Sequence, residues 1–149
     1  MRQAKRSPHV AVRKTDSFVV YRHLQETQHA TAGKPMHTET GFLKLATDGT
    51  AVGSFAHPFP SGFVQEMSRG VWEKINEDDK NDTLQVTLQA KDFQRAVANP
   101  PANGKKQVHG FKRVYTLQGN DNLSYKQFLS TTEGGDNLYH HLSCSFTKK

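Results

Sequence analysis

The chain has a single cysteine, Cys144, in 149 residues. An intramolecular disulfide is excluded, and so is a zinc site built on several thiolates. A lone thiol fits a reducing compartment, and the expected location is cytoplasmic. No apolar run approaches the ~20 residues that a membrane-spanning helix needs. No apolar leader follows Met1. Apolar residues make up only 34% of the chain, and the mean hydropathy is −0.74. That balance suits a barrel with a partly polar lumen better than a tightly packed α/β enzyme. A glycine-rich phosphate loop, a nucleophile elbow and a zincin motif are all missing. Ser and His have no spacing that implies a triad, and the aromatic pattern of an RNA-binding sheet is missing too.

What is present begins with charge. The net charge is +6, but residues 1–16 hold Arg2, Lys5, Arg6, Arg13 and Lys14 against Asp16, a balance of +4. The other 133 residues carry only +2. A basic segment of this kind can touch nucleic acid or an anionic membrane, and weakly resembles a presequence. The simpler reading is a solvated extension. The expected organisation is an irregular basic tail over 1–16 and one folded domain over 17–149, with no membrane or nucleic-acid partner.

From Phe18 onward the chain alternates. The pattern predicts strands over Phe18–Gln28, Met36–Leu45, Val52–His57 and Phe63–Arg69, the last continuing through Trp72. Further strands are predicted over Thr83–Gln89, Lys106–Leu117, Leu123–Thr131 and from Leu138 to the C-terminus. Lys91–Val97 is ambiguous between a strand and a helical turn. Turn signals separate them: His29–Pro35, Asp48-Gly49, Pro58–Gly62, Asn99–Gly104, Gly119–Asn122 and Glu133–Asn137. Glu73–Asp82 is acidic but lacks the spacing and turn glycine of a calcium loop. About eight evenly spaced strands without a helix make an all-β, up-and-down antiparallel meander, closed into a barrel or left open. A closed barrel of eight to ten strands has room for one small ligand.

Eight histidines stand out. His37 and Glu39 share a strand face, either as an acid/base pair or as a polar network satisfying itself. His57 precedes Pro58 and reads as a strand-end cap. Lys112-Arg113 reads as an exposed face, with pairing to ligand carboxylates the alternative. His140 and His141 are adjacent on the last strand, so only one can face a lumen. An imidazole in an apolar pocket is a good ligand for iron or zinc. Strict alternation groups His141 with Tyr139 and Ser143, opposite Leu142 and Cys144. An inward His141 therefore needs a polar lumen or a β-bulge.

Several segments together resemble the nitrobindin family. They are Gly33-Lys34-Pro35-Met36-His37-Thr38-Glu39-Thr40-Gly41-Phe42-Leu43, Ala56-His57-Pro58 with Gly62, Lys112-Arg113-Val114-Tyr115-Thr116-Leu117, and Leu138-Tyr139-His140-His141-Leu142. They keep the family's order from about Phe18 to the C-terminus. The resemblance implies a β-barrel similar to lipocalins and fatty-acid-binding proteins. It also implies ferric haem b, interaction with nitric oxide, and isomerisation of peroxynitrite to nitrate. The partners implied are haem and small reactive nitrogen species. The family's axial ligand, a His followed by Leu, falls on His141. Its Lys-x-Val step falls on Lys106, which would reach a haem propionate. Met36 and His37 match residues at the pocket side. The family's opening Gly-x-Trp-x-Gly-x-Gly motif and Tyr-Pro-Thr segment have no counterpart, and the only Trp is Trp72. The expectation is a barrel incomplete at its N-terminus, its first strand or two lost or replaced. A pairing homodimer or a differently placed start would each explain this. If the haem site has decayed, the alternative function is a carrier of a fatty acid or other small hydrophobic ligand.

Overall fold

The computed structural model describes residues 2–4, 9–29, 31–59, 63–75, 83–91, 95–98, 108–119, 122–131 and 135–147. Among them are eleven strands and no helix. They are β1 (Arg2–Ala4), β2 (His9–Lys14), β3 (Phe18–His29), β4 (Pro35–Ala46), β5 (Thr50–Phe59), β6 (Phe63–Lys74), β7 (Thr83–Lys91), β8 (Arg95–Ala98), β9 (Val108–Gln118), β10 (Asn122–Thr131) and β11 (Gly135–Thr147). All described pairings are antiparallel, in the order β1-β3-β4-β5-β6-β7-β9-β10-β11. The expected meander is therefore present from β3 to β7 and from β9 to β11, with β2 paired to β3, β8 to β6 and β9 to β7. Its turns use the signals read from the sequence: Gly33, Gly49, Gly119 and Gly135 all have positive φ, which glycine alone tolerates cheaply.

The described ladders do not close the sheet. β1 and β11 are its two ends, and their Cα atoms approach within 8 Å. Side chains bridge the seam lower down, where Gln25 Nε2 lies 4.0 Å from Cys144 Sγ. The sequence predicts an irregular tail over 1–16, and here the structure differs. β1 pairs with the far half of β3 (Arg2↔His29) and β2 with its near half (Lys14↔Val19). The edge of β3 would otherwise expose a row of unpaired backbone groups. Ala11–Lys14 are exposed, so this edge strand needs no apolar alternation, which is why none is visible in its sequence.

The register defines two ends. The upper end holds the first residues of β4, β6, β9 and β11; the lower end holds the first residues of β3, β5, β7 and β10. The lower half is packed with Leu43, Leu45, Ala51, Phe55, Val86, Leu88, Tyr115, Tyr125, Leu142 and Cys144. A smaller cluster of Ala90, Phe111 and Leu129 lies above. At the upper end the wall divides. β6 pairs with β7 through Arg69–Lys74 but with β8 through Phe63–Glu66.

Two strand crossings admit only glycine. A Cβ on Gly70 would meet Thr87 O at 1.6 Å, and one on Gly41 would meet Ser54 O at 2.0 Å. In both cases the obstacle is backbone, which cannot rotate away. Gly70→Ala is expected to lower stability by about 1–3 kcal/mol, read as a lower urea midpoint with an unchanged far-ultraviolet circular dichroism signature.

Candidate functional site

Between the lower core and the upper cluster lies a layer of charge. β9 alternates Phe111, Arg113 and Tyr115 inward, so Arg113 shares a face with two core aromatics and is fully buried. Its side chain crosses the interior to the opposite wall. Nη1 donates to Glu39 Oε1 at 2.5 Å and Nη2 to Glu39 Oε2 at 2.8 Å, a bidentate fork onto β4. Nη2 also donates to Glu66 Oε2 on β6 at 2.6 Å. His23 Nε2 on β3 sits 2.7 Å from Glu39 Oε1. His57 Nε2 on β5 sits 3.2 Å from both Glu39 Oε2 and Glu66 Oε2. His57 Nε2 also lies 3.2 Å from Arg113 Nη2; ionised carboxylates only accept, so the tautomer with Nε2–H is the one that serves Glu39 and Glu66. The guanidinium also lies over Phe55 and Phe111, at 4.5 and 5.2 Å from the ring centres, where cation–π attraction adds to the ion pairs.

Burial alone would raise both carboxyls, but their partners prevail. The Arg113 guanidinium, His23 and His57 hold Glu39 well below the usual carboxylate range. Arg113 and His57 hold Glu66 at about 2. Burial would lower Arg113, yet the two carboxylates keep it firmly charged. Burial pushes up the Tyr115 and Tyr125 phenols, which stay neutral and stack with ring centres 4.9 Å apart.

These contacts correct three expectations. Arg113 is interior, not part of an exposed face. His57 is a member of the cluster, not a strand-end cap. Among described side chains, the imidazoles on Glu39 are His23 and His57. The His37 and Met36 side chains and all of Lys106 lie outside the described residues; the backbone of Met36 and His37 opens β4 at the upper end. The cluster was legible in parity: Arg113 alternates with Phe111 and Tyr115, and His23 with Tyr21 and Gln25.

His141 sits where β11 breaks its own alternation. Gln127 pairs with Leu142 and Phe128 with His140, so His141 is an extra, unopposed residue in a bulge. Its neighbours Tyr139, His140 and Ser143 are exposed while His141 is half-buried. His140 packs edge-on against Phe128, its Nε2 2.7 Å from Ser143 Oγ. The row beside the bulge, Gln127↔Arg113, belongs to the charged layer. Other bulges lie at the same end, although Val12 is extra against β3 near the lower end. His57-Pro58 oppose the single residue Glu39, Met36 is extra against β3, and His109 is extra against β10. Bulges re-aim side chains and concentrate at barrel rims and beside functional sites.

Buried polar side chains surround the charged layer. Gln25, Thr27, Ser68, Gln127, Ser130 and Thr131 are buried. Gln25 Oε1, Ser68 Oγ and Arg113 Nε have no protein partner. Among the described residues no three His, Cys, Asp or Glu side chains are arranged to hold a metal ion, Glu39 and Glu66 being engaged by Arg113, but an iron held in a macrocycle needs only one protein nitrogen.

Comparison with known proteins agrees with this architecture. A family model described as THAP4-like, heme-binding beta-barrel domain matches residues 11–148. Over 126 residues the chain is 30% identical to peroxynitrite isomerase 1 of Mycobacterium tuberculosis, covering 85% of this chain and 67% of that protein. Peroxynitrite isomerase 2 of Mycobacterium bovis gives the same figures. The crystal structure of Rv2717c from M. tuberculosis superposes with a TM-score of 0.67 at 25% identity, over 99% of this chain and 88% of that one.

The charged layer predicts how acid and mutation act. Glu39 and Glu66 have folded values below their ordinary 4.5. Their contribution is complete above that value and drains away as pH falls from 4.5 towards about 2 for Glu66. Urea midpoints should fall steeply through this window, and less steeply in Glu66→Gln. Arg113→Met removes the guanidinium from two buried carboxylates and should cost about 3–5 kcal/mol at neutral pH. Adding Glu39→Gln and Glu66→Gln to it should restore part of that loss.

Proposed function

Because the chain belongs to the family of THAP4-like, haem-binding β-barrel domains, we propose that it holds ferric haem b in the upper half of the barrel, with His141 as the axial ligand. The observation that carries this reading is the bulge. An adjacent pair of histidines on an unbroken strand must point to opposite faces. The extra residue in β11 is His141 itself, which is also half-buried beside exposed neighbours. The donor set fits the group: one imidazole nitrogen for iron, and a polar layer with unused hydrogen-bonding capacity at Gln25, Ser68 and Arg113.

Lys106, Met36 and His37 are the other proposed haem contacts, assigned from the family resemblance. Lys106 would pair with a propionate; Met36 and His37 would line the pocket side. Bound haem would supply the iron chemistry, and the proposed reaction is interaction with nitric oxide and isomerisation of peroxynitrite to nitrate in the cytoplasm. The names of the relatives above support that reaction class. The chain's own part is to bind and orient. The Arg113–Glu39–Glu66 layer forms a floor that ties β9 to β4 and β6, so the ligand space above it keeps its shape.

Haemin titration of three proteins tests the assignment. The wild type should take up one equivalent with a sharp Soret band and then accelerate nitrate formation from peroxynitrite. His141→Ala should lose about 10–100-fold or more in haem affinity, whereas His140→Ala, whose ring packs outside on Phe128, should keep it. Retention by His141→Ala with loss by His140→Ala would reverse the proposed register.

A further inference from the structure

At the lower end, away from His141, the barrel contains a second space that the haem reading does not use. It is a cavity of about 290 Å³ walled by Phe18, Val19, Leu45, Trp72 and Leu84, with Lys14 as the one charged residue in its lining. Val19, Trp72 and Leu84 pack against the lower core yet stay only partly buried, because their other side faces the cavity. Trp72 has already placed its Nε1–H on Ala46 O at 2.6 Å, so it presents only its ring. Lys14 ends β2 and is exposed. Asp48, at the neighbouring turn, spends its carboxylate on the Thr50 amide at 2.8 Å and does not line the cavity. Part of the wall is thus the β2–β3 turn.

We propose that this cavity binds a small monoanionic amphiphile, a carboxylate carrying an apolar chain of about ten carbons, with its head at Lys14 and its tail against Trp72. The size follows from volume. An apolar protein cavity of about 150 Å³ accepts benzene, so roughly twice that volume takes a medium alkyl chain. The charge follows from the lining, which has a cation at its rim and no acid. The packed lower core and the charged layer separate this site from His141, so the two can be tested independently.

Trp72 is the only tryptophan, so its emission reports this site alone. Titration of the full haem-free chain with decanoate should give a saturable shift of that emission. Lys14→Glu should weaken decanoate about three- to tenfold and leave decan-1-ol unchanged. Leu84→Phe narrows the cavity and should weaken the response. Thr47→Phe, at the exposed rim, serves the same purpose where Leu84→Phe fails to fold. His141→Ala should bind decanoate like the wild type. The assignment is overturned by no saturable response in the wild type, or by undiminished binding in both narrowed variants. It is equally overturned by decyltrimethylammonium binding as tightly as decanoate, or by loss of decanoate binding in His141→Ala.

Discussion

A single guanidinium in the middle of the barrel sets the rest of the interior. Arg113 is fully buried and reaches from β9 to carboxylates on β4 and β6. Charges taken out of water cost several kcal/mol each unless geometry and additional hydrogen bonds compensate. Here a bidentate fork, a second carboxylate, two imidazoles and two aromatic faces do so. Among the described residues the cost is accepted in one layer. Below it the side chains are apolar and packed; above it a smaller apolar cluster of Ala90, Phe111 and Leu129 sits among buried polar residues, and the wall divides between β7 and β8. The barrel is therefore asymmetric along its axis, with its larger apolar core in the lower half.

Most of the described bulges lie at the upper end. Strict alternation would give each strand one inner row and leave no choice about which of two adjacent histidines turns inward. An extra residue breaks that rule locally at the price of an unpaired backbone position. At His57-Pro58 it sets an imidazole against Glu39, and Pro58 fits because a bulge does not need its amide in the ladder. At His141 it releases the imidazole from the exposed row of Tyr139 and Ser143.

Much of the fold was readable from the amino-acid order, because alternation and glycine-bearing turns are local signals. β3 and β4 fall within a residue or so of their expected limits, and β10 ends where its alternation ends. β1 and β2 were not readable: an edge strand exposed along Ala11–Lys14 carries no periodic signature, and its reason lies in the open edge of β3. Arg113 misled by type, since arginine is almost always solvated, although its parity with Phe111 and Tyr115 pointed inward. The bulge at His141 was readable only as a need, because one inserted residue looks like any other until the partner strand fixes the register.

The proposal of an iron held by one histidine in the upper half rests on the bulge in β11 and on the family membership. The most direct measurement is the electron–nuclear hyperfine spectrum of the ferric haem-loaded full chain with ¹⁵N-labelled histidine. One histidine nitrogen coupled to the iron in the wild type, and absent when position 141 alone is replaced, is the expected result. A spectrum with no histidine nitrogen, or one unchanged by that replacement, would contradict it.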